Sequence, residues 1–211
     1  SRASKTMNPA GKVLVTGGSR GIGFAVARLL YESGYKVTIS GTKPTANPLK
    51  GCDYIGCDFS NPAALESFAN EVAKQEFSIL INNAGTNKIG PVVDYDPADF
   101  ERIQRVNLLA PWRICQAVVG GMCRRRFGRI VNITSVFGVV SRAGRSAYSA
   151  SKFGLFGLSR ALALEVAKDN VLVNCLAPGF IDTDLSRQIL GKKGIEEIVE
   201  KIPMGRLGKP E

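Results

Sequence analysis

The chain has 211 residues, 45% of them hydrophobic, with a formal net charge of +10, five cysteines and no histidine. That length suits one well-cored domain, and the charge favours anionic partners such as phosphorylated cofactors or acidic proteins. Without histidine there is no Ser-His or Cys-His nucleophile and the commonest metal ligand is missing, so acid–base chemistry falls to carboxylates, lysine or tyrosine and no metal is expected.

The cysteines (Cys52, Cys57, Cys115, Cys123, Cys175) form no CxxC pair and read as small core residues of a reducing compartment, the cytoplasm or an organelle matrix. No apolar run reaches the length of a membrane span. Residues 1–10 read as a tag remnant or disordered N-terminus, and a single domain is expected over 11–211. Strands are predicted at 12–16, 36–40, 53–57, 78–82, 129–134 and 171–176, with helices at 21–33, 62–76, 97–126 and 147–168. Aliphatic runs with little polar alternation are the pattern of strands buried on both faces. Their alternation with helices predicts an α/β fold, a Rossmann-type doubly wound parallel sheet with helices on both faces.

The first strand runs directly into TGGSRGIG, Thr16 to Gly23, and then into a helical stretch. Gly17, Gly21 and Gly23 follow a variant of the dinucleotide-binding spacing: glycine permits the tight turn, the approach of backbone to pyrophosphate, and close helix–strand packing. The free N–H groups of the helix start then face the phosphates. An NAD site usually carries an acid about 20 residues further on. Here that place is occupied by SGTK, Ser40 to Lys43, with no acid. Arg20 inside the loop, and Lys43 beside Thr42, are suited to a 2′-phosphate, which favours NADP(H) over NAD.

Further along, RRRFGR (Arg124 to Arg129) is the one basic run. It reads either as a solvated helix terminus matched to the helix dipole or as a docking patch for an acidic partner. No nucleic-acid-binding module or aromatic-interleaved basic stretch is present. Next comes SAYSASKFG, Ser146 to Gly154, which sets Tyr148 and Lys152 four residues apart on one helix face.

Taken together, TGGSRGIG, NNAG (Asn82 to Gly85), Asn107, Ser135, YSASK and PGFIDTD (Pro178 to Asp184) resemble the short-chain dehydrogenase/reductase family, in its order and approximate spacing. Within it, GRIVNITS, YSASKFGL and IPMGRLGKPE are most similar to the 3-oxoacyl-(acyl-carrier-protein) reductases. The resemblance implies that Thr16, Ser19, Arg20 and Ile22 line the cofactor loop with the glycines. It implies that Asp58 and Phe59 meet the adenine, and that Asn83, Ala84 and Gly85 pass under the ribose while Asn82 braces the central strands. Pro178, Gly179, Ile181 and Thr183 would grip the nicotinamide, and Asn107 would hold a water in a proton relay.

The same resemblance implies a homo-oligomer, typically a tetramer, and acyl carrier protein as partner, docking at Arg125, Arg126 and Arg129. A second basic site is less clear, since Lys168 is followed by Asp169. The segment Leu185 to Ile202 resembles a substrate lid hinged at GKKG, and a final helix and strand of the family pattern are expected to be missing after Glu211.

The chemistry asks for these groups. Reduction of a ketone leaves an alkoxide that needs a proton, yet an ordinary tyrosine, with a pKa of about 10, is a poor proton exchanger near neutrality. An ammonium favours phenolate, so Lys152 is expected to lower the pKa of Tyr148. Ser135, closing the fifth strand, is expected to hydrogen-bond the substrate carbonyl. The expected activity is NADPH-dependent reduction of a 3-oxoacyl thioester. The alternatives are reduction of a sugar, polyol, steroid or other free carbonyl, or a non-catalytic NADP-binding scaffold.

Overall fold

The computed structural model describes residues 11–44 and 48–211, so the reading of residues 1–10 falls outside the described residues. Six strands form one parallel sheet: β1 (Lys12–Val15), β2 (Lys36–Gly41), β3 (Asp53–Gly56), β4 (Phe77–Asn82), β5 (Gly128–Ile133) and β6 (Val171–Leu176). The helices are α1 (Gly21–Glu32), α2 (Pro62–Ala73), α3 (Pro97–Gln104), α4 (Ala110–Arg124), α5 (Ser146–Val166) and α6 (Asp184–Val199). The expected strands therefore all form, with ends that agree to within a residue or so. The doubly wound parallel architecture is the one the alternating pattern predicts.

The strand order is β3-β2-β1-β4-β5-β6. The chain winds outward in one direction from β1 and in the other from β4, so the crevice between them opens at the strands' carboxyl ends. Period-two alternation accounts for the continuous apolar runs. Leu14 pairs with Leu80, and Leu80 with Ile130, all on the face packed against Phe68, Ile114 and Met122 of α2 and α4. Val13, Val15, Ile39 and Ile81 point the other way, toward Ala27 of α1. Full burial of such side chains contributes roughly 1.5–3 kcal/mol each, and it ties the strand ends to rigid ground.

Two departures from the predicted elements bear on function. The single helix expected over 97–126 is interrupted by a π-helical turn at Arg105–Leu109, which swings Asn107 inward to complete burial. Such bulges insert one extra residue per turn and re-aim a side chain. Second, α6 breaks at Gly191, whose φ of 63° and ψ of 179° are not helical. Asn61, Asp96 and Thr183 cap α2, α3 and α6 with their own side chains. The start of α1 has no side-chain cap, so its first N–H groups are left for another acceptor. Among the described residues no helix is long and apolar enough to cross a membrane.

Candidate active site

The crevice is a cleft of about 830 Å³ running across the carboxyl ends of the sheet. It gathers Gly17, Ser19, Arg20, Gly21, Ile22, Thr42, Asp58, Phe59, Asn83, Ala84 and Gly85 toward one end. Ser135, Tyr148, Lys152, Pro178, Gly179, Ile181 and Thr183 line the other. Four of the expected residues stand off the wall: Thr16, Gly23, Lys43 and Asn107.

The glycine loop is shaped by what it cannot carry. Gly17 and Gly21 have φ of 63° and 55°, left-handed values that glycine adopts without strain. A Cβ on Gly17 would sit 2.8 Å from Ala84 Cα. One on Gly23 would fall 2.3 Å from both Asn83 Nδ2 and the Gly17 carbonyl, so Gly23 serves packing, not the cleft wall. Thr16 works beneath the loop: its Oγ1 accepts from the Asn83 and Ala84 amides at 3.0 and 3.1 Å. The Asn83 side chain returns the favour, donating to the Thr16 and Gly17 carbonyls at 3.1 and 3.0 Å. Asn83 is thus a brace for the loop as well as part of the floor, a role the sequence reading did not assign.

At the end of β2 the position is crowded: a Cβ on Gly41 would come within 2.8 Å of the Tyr54 hydroxyl and 2.9 Å of Ser19 Oγ, so a side chain there would have to displace both. Arg20, exposed, and Thr42 line the cleft, whereas Lys43 is exposed beside it. Asp58 also lines the wall and accepts from Ser60 N and Oγ at 2.9 and 2.8 Å. Phe59 turns its ring into the core, edge-on to Phe68 at 5.0 Å, and anchors that loop.

At the other end, β5 delivers Ser135 and α5 delivers Tyr148 and Lys152. Ser135 is buried and its Oγ accepts from Phe137 N at 3.2 Å, fixing the hydroxyl at the strand end. Lys152 is only 4% exposed, and its Nζ donates to the Ile133 carbonyl at 2.8 Å. Burial pushes its pKa down to about 8. A Cβ on Gly85 would lie 3.9 Å from Lys152 Nζ, which puts the cation beside the floor of the cleft.

Tyr148 has two cations nearby, Lys152 and Arg145. Burial raises the phenol above its ordinary value, while a hydrogen bond with Ser135 and the charge of Arg145 pull it back. Lys152 Nζ lies 5.7 Å from the centre of the Tyr148 ring, tied to a carbonyl. Arg145, immediately before α5, is a second cation that acts on the phenol.

The side chain of Asn107 is held by protein partners. Its Nδ2 donates to the Thr86 carbonyl at 2.9 Å and to Ser151 Oγ at 3.1 Å, and its Oδ1 accepts from Thr86 N at 2.8 Å. The amide therefore clamps the loop after β4, which Arg102 also holds through Thr86 Oγ1 at 3.1 Å. Asn82 does brace the central strands as expected: it donates to Asn132 Oδ1 at 2.8 Å, and Asn132 donates to Ser159 Oγ at 2.8 Å.

The basic run lies at the amino end of β5, one strand length from Ser135. Its arginines are engaged locally. Arg125 donates to the Phe77 carbonyl at 2.7 Å, Arg126 to that of Lys168 at 2.9 Å, and Arg129 to those of Gly128 and Asn170 at 2.7 and 3.0 Å. All five cysteines are free thiols; burial pushes Cys57 up to about 11 and Cys115 up to about 12, so both are poor nucleophiles. Leu185 and Ile189 of α6 overhang the cleft, and the GKKG hinge expectation falls on the break at Gly191.

Residues 11–194 match the sequence profile of the family described as short chain dehydrogenase. The chain is 39% identical over 204 residues to the 3-oxoacyl-(acyl-carrier-protein) reductase of Rickettsia prowazekii, an alignment covering 94% of this chain and 83% of that protein. A solved 3-oxoacyl (acyl-carrier-protein) reductase from Agrobacterium tumefaciens with NADP bound superimposes with a TM-score of 0.87 at 31% identity, covering 95% of this chain and 83% of that one. A gluconate 5-dehydrogenase from Burkholderia cenocepacia in complex with NADP and tartrate reaches the same TM-score of 0.87 at 28% identity, covering 97% and 85%.

Proposed function

The chain belongs to the short-chain dehydrogenase family of oxidoreductases, and from that premise we propose that it is an NADPH-dependent ketone reductase whose substrate is a 3-oxoacyl thioester, carried on acyl carrier protein or a similar pantetheine. The observation that carries the reading is the joining of two half-sites in one cleft: an uncapped helix start behind Gly17 and Gly21, and the Ser135–Tyr148–Lys152 group. The cradle fits a dinucleotide, since Gly17 and Gly21 turn the loop along the cleft wall in left-handed conformations and the first N–H groups of α1 have no side-chain cap. Arg20 and Thr42 on the cleft wall, with no acid in Ser40 to Lys43, favour the 2′-phosphate form.

In this reading the α1 N–H groups and Ser19 hold the pyrophosphate, Asp58 meets the adenine, and Lys152 holds the ribose hydroxyls. Bound NADPH supplies the hydride. The chain's own residues handle the oxygen: Ser135 Oγ donates to the ketone, and Tyr148 transfers its phenolic proton to the oxygen as negative charge develops. One ketone, one hydride from NADPH and one proton would give one alcohol and NADP+, and the Tyr148 phenolate would then recover its proton from solvent. General acid catalysis of this kind contributes on the order of 10²–10⁴ in rate. Asn107 acts as a positioning residue, holding Thr86 and through it the loop that borders the ketone.

Relatives named as 3-oxoacyl reductases support the thioester as substrate, and the apolar Leu185 and Ile189 over the cleft suit an acyl chain better than a polyol. The test is NADPH oxidation with acetoacetyl thioester, run beside NADH and beside a sugar acid. The expected result is turnover of the thioester with NADPH preferred. Turnover of the sugar acid alone would overturn the substrate assignment, and NADPH binding with no carbonyl reduced would overturn the enzyme reading.

A further inference from the structure

Beyond Tyr148 the cleft continues into a smaller pocket of about 100 Å³, lined by Asn87, Ser135, Phe137, Arg145 and Tyr148. Arg145 is unusual there. Its side chain is 95% buried by complement of a 5% exposure, and its guanidinium lies over the Phe137 ring at 5.1 Å. Among the described residues it has neither a carboxylate partner nor a side-chain hydrogen bond. The charges around it are unhelpful as well: the like charge of Arg142 acts on it, and Arg145 itself precedes the positive end of the α5 dipole. A buried, uncompensated cation is costly, and such groups are retained where something else completes them. A second polar atom in the same pocket is also open: Asn87 Oδ1 is buried with no hydrogen-bond partner.

We propose that Arg145 is a substrate-specificity residue that binds the C1 oxygen of a 3-oxoacyl group while Ser135 and Tyr148 hold its C3 oxygen. The pocket has room for only a few non-hydrogen atoms, which fits a carboxylate or thioester carbonyl one methylene from the ketone and not a sugar ring. Arg145 opens the helix turn that carries Tyr148, so the C1 and C3 oxygen sites are built on one rigid element. Burial weakens the hydration of the guanidinium and pushes its pKa down, so a bound acceptor replaces water that the pocket excludes. This inference rests on the 3-oxoacyl reading above, and it leaves two sources for the same C1 oxygen: a thioester or a free 3-oxo acid.

The experiment compares wild type with Arg145→Met and Arg145→Lys, using acetoacetyl thioester, free acetoacetate and cyclohexanone, which lacks a C1 oxygen. NADPH affinity, followed by cofactor fluorescence, reports whether the fold survives. The expected result is a fall of about 10- to 100-fold in the 3-oxoacyl to cyclohexanone ratio of kcat/KM in Arg145→Met, the scale of a charge-assisted hydrogen bond. Most of it should appear as a raised KM, with partial recovery in Arg145→Lys. A loss concentrated on the thioester identifies that source, and one concentrated on acetoacetate identifies the free acid; both support the proposal. Equal losses on all three carbonyls, or a loss that tracks NADPH affinity, would make Arg145 merely structural and overturn it. Wild type inactive on both 3-oxoacyl compounds would overturn the 3-oxoacyl assignment and this inference together, a failure visible before any variant is made.

Discussion

The nucleotide half of the cleft, from Gly17 to Asp58, is shaped by backbone and by side chains that are missing, whereas the carbonyl half, from Ser135 to Lys152, is shaped by polar side chains taken out of water. In the first, Thr16 and Asn83 satisfy one another and the loop carbonyls, and the open donors belong to the uncapped start of α1. In the second, a lysine is held on a carbonyl with its pKa pushed down to about 8, a tyrosine is raised by burial, and an arginine lies on an aromatic ring. One end binds by conforming to a shape, at little electrostatic cost. The other stores unfavourable burial that substrate and cofactor relieve, which is the usual relation between stability and activity at reactive sites.

The comparison breaks most sharply at Gly23. Gly23→Ala puts a methyl 2.3 Å from Asn83 Nδ2 and the Gly17 carbonyl, both already hydrogen-bonded, so the loop must move. The expected outcome is loss of NADPH affinity by more than about 100-fold, with overpacking of about 1–3 kcal/mol seen as a lower Tm. Cofactor fluorescence titration and thermal melting check both.

Lys152 sharpens the contrast at the other end. Its folded pKa of about 8 lies below the ~10.4 of an unfolded lysine, so between those values the unfolded chain holds more protons. The destabilisation is complete below pH about 8 and is relieved as pH rises through that window. Relative to Lys152→Met, wild type should therefore gain up to about 3 kcal/mol between pH 7.5 and 10. Parallel melting curves across that range would show no strain in the buried cation. The smallest effect is expected at Gly191, where nothing lies within 4 Å of an added Cβ and only the backbone conformation resists. Gly191→Ala should cost roughly 1–3 kcal/mol while NADPH affinity stays within about twofold.

The same division explains what was legible in the sequence. Glycine spacing, apolar runs and the Tyr148–Lys152 interval are local patterns, and the elements they announce form where expected. The nucleotide half rests on such patterns, and the absence of an acid from Ser40 to Lys43 is itself a local one. What was not legible depends on partners far apart in the chain. Nothing in VNLLAPW announces the π turn that commits Asn107 to Thr86 and Ser151, because those partners lie 21 and 44 positions away in the chain. The arginines at 125, 126 and 129 read as a helix terminus or a docking patch, and their bonds to the carbonyls of Phe77, Lys168 and Asn170 could not be read from the run itself. Arg145 stood three residues before Tyr148 in plain view, yet only the burial of its guanidinium over Phe137 distinguishes it from a solvated cap.

The central claim is that binding and chemistry reside in separable halves of one cleft, with Tyr148 as the proton donor. It is tested most directly by Tyr148→Phe, measuring NADPH affinity and single-turnover reduction of acetoacetyl thioester on the same preparation. The account predicts NADPH affinity close to wild type and a hydride-transfer rate lowered by about 10²–10⁴. A variant that reduces the thioester at the wild-type rate would contradict it.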